Sequence, residues 1–224
     1  MDTDIGLRNL DVVLGLENRI VYNLIDVIEG SCRMKQALIR DKQCDNLCLL
    51  PSAQTRDKTA ITPEQMIKLT DDLAEEFDYI LLDCPAGIEQ GFKNAIAGAN
   101  RAIVVTTPEV SAIRDADRII GLLQANEMPR VQLVINRLRM DMIRRGEMMS
   151  VEDVTEILAV ELLGAIPDDE AVVIATNQGE PLCGQDSMSR TGFFEHLPQD
   201  SGRGCTFPEL PVKAGCIQKA VRYL

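Results

Sequence analysis

The sequence predicts an α/β protein with a mostly parallel sheet and helices on both faces, and three observations support this class. Short apolar runs recur along the chain, amphipathic stretches lie between them, and most of the runs end at Pro, Asp or Asn. Such runs are typical of strands that are buried on both faces, and strands that alternate with helices usually pair in parallel.

Five apolar runs are predicted to be strands of this sheet. They are residues 46–51, 79–85, 102–108, 131–138 and 162–166. Three amphipathic stretches are predicted to be helices, namely residues 63–77, 111–126 and 150–160. Pro63 suits a first helical turn, and Ser150 with Asp153 has the spacing of a capping box.

The last part of the chain has a different character. The 224 residues exceed one ordinary domain of about 150 residues, and the periodic pattern fades after Pro181. Gly, Ser and Pro become frequent there, which favours turns over long helices. We therefore predict one domain over residues 1–181 and a divergent, poorly ordered tail over residues 182–224. Apolar spacing in residues 212–224 is loosely helical, and it favours packing or disorder over a weak surface anchor.

Charge and rare residue types exclude several classes of protein. There are 23 basic and 35 acidic residues, and the net charge of −12 argues against a protein that coats nucleic acid. The seven cysteines are scattered and odd in number, so a reduced compartment is expected. A single histidine argues against catalytic triads and common zinc sites. The opening residues lack the pattern of a targeting peptide, and no apolar run approaches the ~20 residues that span a bilayer.

The strongest local motif is the apolar strand that ends at Asp83 and is followed by a Pro85-x-Gly87 turn. Open α/β sheets bind ligands at the carboxyl ends of their strands, and a carboxylate there can hold the water shell of Mg²⁺. The backbone N–H of Gly87 can approach a phosphate without a side chain in the way. The spacing fits a structural role equally well, in which Asp83 caps the next helix and Pro85 ends the strand.

The opening segment, residues 2–11, carries three carboxylates and an arginine around a glycine. Such a loop suits phosphoryl transfer, because a carboxylate can orient an attacking water and Arg8 can neutralise phosphate charge. The structural alternative is a frayed, solvated terminus, which is common at chain ends.

Seven segments, in the same order along the chain, resemble the MinD/ParA family of deviant P-loop ATPases, and the MinD branch in particular. They are residues 2–11, 54–58, 83–89, 107–110, 114–118, 149–154 and 177–181. The resemblance covers about residues 2–181, and residues 15–19 and 136–139 are most similar to the cyanobacterial and plastid members. It implies a P-loop NTPase fold and an ATPase that dimerises around ATP and Mg²⁺, associates with a membrane and helps to place the division ring.

The resemblance also implies roles for particular residues. Asp4 corresponds to the switch carboxylate near the attacking water, with Asp2 as its companion. Asp83 corresponds to the acid behind Mg²⁺, and Pro85 and Gly87 fall in the second switch.

Two further groups correspond to the adenine side of the site and to a partner surface. The adenine-side loops correspond to Asn136, Arg137, Pro167 and Asp168. The partner region corresponds to Glu109, Arg114 and Asp115, whose spacing alone favours an ordinary solvated helix face. The implied partners are a second copy of the chain, division-site regulators of the Min system and a membrane surface, with no nucleic acid.

The chain departs from the family pattern at both ends. Family members open with a strand and a glycine-rich phosphate loop, and no Gly-x-x-x-x-Gly-Lys-Ser/Thr occurs in the 224 residues. We therefore expect an N-terminally incomplete ATPase domain without its first strand, which leaves a gap in the middle of the sheet, and without the cradle for the phosphates. The basic, aromatic membrane segment that closes family members is only faintly matched by residues 190–194.

These differences leave two functions open. The leading one is a division-site ATPase of a plastid stroma or a bacterial cytoplasm, peripheral to the inner face of the membrane and impaired by the missing loop. The alternative is a non-catalytic fragment that regulates division by binding partners through the helix around Asp115. A sister ATPase that partitions DNA or inserts metal clusters shares the fold, but the sequence of residues 2–11 and the lack of paired cysteines argue against it.

Overall fold

The structure, a computed structural model, describes residues 1–42, 44–54 and 61–179 and the backbone of residues 218–223. The helices are α1 (Leu10–Val13), α2 (Leu24–Ile28), α3 (Met34–Ala37), α4 (Pro63–Ala74), α5 (Gln90–Ala97), α6 (Val110–Ala125), α7 (Met140–Arg144), α8 (Val151–Leu158) and α9 (Glu170–Gln178). The strands are β1 (Ile39–Arg40), β2 (Cys48–Leu49), β3 (Tyr79–Asp83), β4 (Arg101–Thr106), β5 (Val131–Leu138), β6 (Glu161–Pro167) and β7 (Gln218–Tyr223).

One parallel sheet organises the molecule, with the strand order β3-β7-β4-β5-β6. Four of the five predicted strands lie in it, as β3, β4, β5 and β6. Helix α4 packs on β3, α6 packs on β4 and β5, and α8 packs on β6. The predicted α/β fold with a mostly parallel sheet is therefore confirmed, and all carboxyl ends of its strands lie at one edge.

The interior strand β7, second in the order of the sheet, comes from the predicted tail. It pairs with β3 on one side and with β4 on the other, so that Ala220 lies between Leu81 and Arg101. The sequence predicts a gap in the middle of the sheet, whereas β3 and β4 are here joined by β7. The other residues of the predicted tail lie outside the described residues, as does most of the motif at residues 54–58.

The prediction that residues 46–51 form a parallel strand is wrong. Only Cys48–Leu49 is a strand there, and β2 pairs antiparallel with β1 in a separate two-stranded sheet. The chain reverses between the two strands, where the Asp41 N–H donates to the Leu47 carbonyl. Because closing this short loop costs little entropy, the local hairpin forms in preference to a distant parallel pairing.

The three predicted helices are confirmed, with small changes at their ends. Helix α4 begins with a capping box between Thr62 and Gln65, with Pro63 in its first turn. Helix α8 begins with the predicted capping box between Ser150 and Asp153. None of the described helices combines the length and the apolar character that crossing a membrane would need.

Two hydrophobic clusters hold these elements. The larger one lies between the parallel sheet and its helices, and includes Leu82, Val104 and Leu133. The smaller one, made of Leu16, Ile39 and Leu49, packs the segment after α1 against the β1–β2 hairpin. The opening segment contacts both clusters, because Ile5 belongs to the larger one and Leu10 packs against the smaller one.

Candidate functional site

The opening segment lies along β3 and extends the sheet. Asp2 forms a parallel β-bridge with Asp83, and the Thr3 N–H donates to the Asp83 carbonyl at 3.1 Å. On the other side, the Asp2 N–H donates to the Leu50 carbonyl at 3.0 Å. Met1, Asp2 and Thr3 are all buried. The alternative of a frayed, solvated terminus is therefore wrong.

The three predicted acids of the reaction centre converge at the carboxyl end of β3. The Asp4 N–H donates to Asp2 Oδ1 at 2.9 Å, and the Asp83 carboxylate is close enough to raise the pKa of Asp2. Cys84 is affected by both neighbours: burial raises the pKa of its thiol to about 12, and the charges of Asp83 and Asp4 act in the same direction. This convergence is what the sequence predicts for the carboxyl edge of the sheet.

The Asp2 carboxyl is buried, and its pKa is raised. Only 2% of the residue is exposed, and burial raises the pKa of Asp2 from 3.8 to about 6. The hydrogen bond from the Asp4 N–H opposes this rise in pKa, and the charge of Asp83 adds to it. A backbone hydrogen bond with Leu10 also opposes the rise in pKa. A buried carboxyl whose pKa is raised favours a proton or a cation nearby.

Asp83 is not a helix cap. The next helix, α5, begins at Gln90 with Glu89 as its N-cap residue, so the structural alternative for Asp83 is excluded. Pro85 is buried in the following turn, where its ring lies so close to Gly91 that a Cβ there would meet Pro85 Cγ at 2.6 Å. Gly87 is exposed at the tip of the turn with a φ of +95°, and a Cβ at that position would meet nothing within 4 Å. The backbone of Gly87 can therefore be approached closely by a ligand.

Arg8 lies beside Asp11, an acidic residue of the same opening segment. Its Nε lies 3.0 Å from Asp11 Oδ2, and Asp11 is 1% exposed. The atoms are close enough for an ion pair but are not aligned as a hydrogen bond. Arg8 therefore neutralises a buried carboxylate of its own chain through Nε.

A cavity of about 750 Å³ opens at the carboxyl ends of β4, β5 and β6. Three predicted site residues, Glu109, Arg137 and Asp168, line it. Arg137 Nε lies 3.5 Å from Asp168 Oδ1, and the Arg137 N–H donates to the Asn136 side-chain oxygen at 2.9 Å. Pro167, the last residue of β6, precedes Asp168 directly. The cavity has the size of a small-ligand site and lies at the same edge of the sheet as the acids.

Part of the cavity wall was not predicted from the sequence. The other lining residues, mostly from α7 and the loop after it, are Pro108, Val110, Arg139, Met142, Ile143, Gly146, Glu147, Met148, Met149, Ser150 and Asp153. Their order along the chain has no regular spacing that would have marked a pocket. The nearest signals were the resemblance segments at residues 107–110, 136–139 and 149–154, which contain Pro108, Val110, Arg139, Met149, Ser150 and Asp153 but did not assign a pocket to them.

The predicted partner residues are separated by the structure. Glu109 is the N-cap residue of α6 and lines the cavity. Arg114 and Asp115 are exposed further along α6, while the neighbouring Ile113 and Ala116 are buried. This exposed face is compatible with a partner surface and with an ordinary solvated helix.

The donor set fits a magnesium ion that is held mainly by its ligand and by water. Within the part of the chain that the structure describes, no group of three or more His, Cys, Asp or Glu side chains is placed to hold a metal ion. Mg²⁺ usually takes one or two carboxylates and completes its shell with waters and phosphate oxygens. Asp83, half-buried at the end of β3 beside Asp2, provides a carboxylate of this kind.

Comparison with known proteins identifies relatives of the chain. Residues 58–197 match the ParA family model, described as an NUBPL iron-transfer P-loop NTPase. The chain is 56% identical over 184 residues to the septum site-determining protein MinD of Bacillus subtilis (strain 168), which covers 81% of the chain and 69% of that protein. It is 54% identical over 198 residues to MinD of Synechocystis sp., covering 88% of the chain and 74% of that protein.

Solved structures of relatives have the same fold. The MinC:MinD cell division protein complex of Aquifex aeolicus matches with a TM-score of 0.74 at 46% identity, over 81% of this chain and 73% of that one. The septum site-determining protein MinD of Pyrococcus horikoshii OT3, complexed with Mg-ADP, matches with a TM-score of 0.69 at 27% identity, over 80% and 72% of the two chains.

Proposed function

Because this chain belongs to the MinD family of ParA-type P-loop NTPases, we propose that it takes part in placing the division site, with ATP as its nucleotide. The named relatives are septum site-determining proteins, and one relative is complexed with Mg-ADP. The observation that carries the proposal is the convergence of Asp2, Asp4 and Asp83 at the same sheet edge as the 750 Å³ cavity.

In this proposal the acids serve the phosphate end of ATP. Asp83 holds the water shell of Mg²⁺, Asp4 orients the water that attacks the γ-phosphate, and Asp2 fixes the backbone of Asp4 through its carboxylate. When bound, Mg²⁺ neutralises charge on the phosphate oxygens. Pro85 and Gly87 form the turn that senses the terminal phosphate.

The cavity serves the adenine end of ATP. Arg137 and Asp168 form one of its walls, supported by Asn136 and Pro167 at the ends of β5 and β6. The Met142 and Met148 side chains add an apolar surface on which a flat base can pack. Placing base and phosphates at one edge of a parallel sheet is the general arrangement in open α/β proteins.

ATP binding by these 224 residues is expected to be weak. They contain no glycine-rich phosphate loop, so neither its backbone N–H groups nor its lysine contribute to holding the triphosphate. An equilibrium titration with a fluorescent ATP analogue and Mg²⁺ tests this. We expect affinity weaker than micromolar that falls further in Arg137→Ala and Asp168→Ala. Micromolar binding would contradict the expected weakness, and binding that is insensitive to both substitutions would contradict the location of the base.

We further propose that the exposed face of α6 binds a division-site regulator of the MinC type, since a relative forms a MinC:MinD complex. Arg114 and Asp115 are the charged residues predicted for this contact. The family resemblance extends the proposal to ATP-dependent dimerisation and to association with the inner face of a plastid or bacterial membrane. Without a phosphate loop, the same surface supports the second candidate, a fragment that regulates division by binding partners without hydrolysis.

Calorimetric titration with a purified bacterial MinC separates partner binding from nucleotide binding. We expect Asp115→Ala to weaken binding at least ~10-fold, the effect of losing one well-placed charged contact. Glu156→Ala, on the exposed face of α8, is the matched control and should leave binding unchanged. Equal affinities for the two variants would remove α6 from the interface. MinC binding without any ATP binding would favour the non-catalytic candidate.

A further inference from the structure

The backbone of Asp4 is hydrogen-bonded at both its N–H and its carbonyl. Its N–H donates to Asp2 Oδ1 at 2.9 Å, and its carbonyl accepts from the Arg8 N–H at 3.2 Å. Between these contacts the Gly6 N–H donates to the Ala53 carbonyl at 2.9 Å, which ties the tip of the loop to the neighbouring segment. The direction of the Asp4 side chain therefore depends on Arg8 staying in place.

Arg8 adopts a backbone conformation that a non-glycine residue resists. Its φ is +42°, in the left-handed region, so an independent interaction must hold it there. The ion pair with Asp11 is that interaction: the two side chains are 15% and 1% exposed, and Nε and Oδ2 are 3.0 Å apart. Among the described residues, neither carboxylate oxygen of Asp11 has a hydrogen-bond partner. The Arg8 guanidinium is thus the charge that compensates a buried carboxylate.

We propose that Arg8 and Asp11 are positioning residues for Asp4: their buried ion pair closes the loop whose backbone directs the Asp4 carboxylate to the carboxyl end of β3. The relevance of this geometry to catalysis rests on the proposed function, which assigns the attacking water to Asp4. The geometry itself exists without nucleotide. The arginine therefore acts through the loop, and it does not contact the phosphates.

Amide hydrogen exchange, measured by NMR on the full 224-residue chain without nucleotide, tests the proposal. The Asp4, Gly6 and residue 8 amides are hydrogen-bonded in the parent and are expected to exchange slowly. Arg8→Ala keeps the left-handed strain but removes the ion pair, and it should speed exchange at these amides at least ~10-fold. Arg8→Lys restores the charge and should recover much of the protection. Arg145→Ala removes an exposed ion pair with Asp141 and should change nothing in this loop.

Three results would overturn the proposal. They are unchanged exchange in Arg8→Ala, equal acceleration throughout the core strands β4 and β5, and failure of Arg8→Lys to restore any protection. If Arg8→Ala does not fold, Asp11→Asn, which keeps the shape of the side chain, must show the same local loss. Because no nucleotide is present, absence of ATP binding would count against the proposed function and leave this result standing.

Discussion

Asp2 lies directly opposite Asp83 across a parallel β-bridge, so two acidic residues from distant parts of the sequence share one edge of the sheet. The bridge is supported by backbone hydrogen bonds on both sides of Asp83, from Thr3 to its carbonyl and from its own N–H to Met1. Burial raises the pKa of Asp2, and the nearby charge of Asp83 raises it further. The arrangement is therefore useful where a cation or a proton offsets the charge, as at a metal and phosphate site.

The stability of the fold should depend on pH through Asp2. Its pKa is raised to about 6 in the folded protein, against an ordinary value of 3.8. Between these values the folded state holds the proton that the unfolded state has lost, so the contribution of Asp2 to stability is greatest below about pH 4, falls as the pH rises to about 6, and then levels. The difference corresponds to about 3 kcal/mol at most.

Urea unfolding of the parent and of Asp2→Asn from pH 4 to pH 8 measures this contribution. The amide is neutral and can still accept from the Asp4 N–H, so the variant should lack the fall and be more stable than the parent above pH 6. Asp153→Asn is a useful control, because hydrogen bonds from Ser150 lower the pKa of Asp153, so its contribution to stability stays constant over this pH range and the variant's profile should run parallel to that of the parent. Parallel pH profiles for the parent and Asp2→Asn would contradict the burial argument.

Two cysteines, Cys84 and Cys44, should differ strongly in reactivity. Cys84 is buried, and burial raises the pKa of its thiol to about 12, whereas Cys44 is exposed on the β1–β2 hairpin. Because the thiolate is the reactive form, we expect iodoacetamide to modify Cys44 at least ~100-fold faster than Cys84 in the native protein. Peptide mapping by mass spectrometry gives both rates, and in denaturant the two should become similar. Comparable native rates would show that the turn after Asp83 opens readily.

A close contact between two glycines joins the segment after α1 to the end of α9. Gly15 and Gly179 both have a positive φ, and a Cβ on Gly15 would lie 2.5 Å from the Gly179 carbonyl oxygen. Gly30 has a similar φ of +75° but would meet nothing within 4 Å. Alanine should cost about 1 kcal/mol at position 30, from the left-handed backbone alone. At position 15 it should cost a further ~1–3 kcal/mol, because the backbone of α9 has to move. Equal losses of unfolding free energy at the two positions, measured with urea, would show that the contact between Gly15 and Gly179 rearranges without a measurable cost.

The sequence allowed the strand ends of the site to be predicted, because an apolar run followed by Asp, Asn or Pro marks where a buried strand reaches the surface. Asp83 was found in this way, whereas Arg137 and Asp168 came from the family resemblance, and the three residues lie at one edge of the sheet. Parallel topology alone then brings such residues together.

Other features depend on pairings that have no local signature. The Arg8–Asp11 ion pair is such a case, since an arginine three residues from an aspartate is as compatible with a solvated turn as with a buried contact. The place of β7 between β3 and β4 is another, because its partners lie more than a hundred residues away. The run at residues 46–51 was predicted to be a buried parallel strand, but only Leu49, Leu50 and Pro51 are buried, and its strand residues pair with a neighbouring hairpin strand.

Substitution of Arg137 by glycine should affect the stability of the fold and the binding of nucleotide in opposite directions. Its φ of +59° is unfavourable for an arginine, and its ion pair with Asp168 is exposed enough to contribute little. Arg137→Gly removes the backbone strain, so we expect stability to be unchanged or raised by up to about 1 kcal/mol. The same substitution removes a wall of the cavity and should weaken binding of the ATP analogue at least ~10-fold. Ala159→Gly, at the left-handed end of α8, is the matched control that should gain stability without changing binding. A loss of stability in Arg137→Gly larger than 1 kcal/mol would mean that the arginine serves the fold, and that its strained conformation is not kept for a ligand.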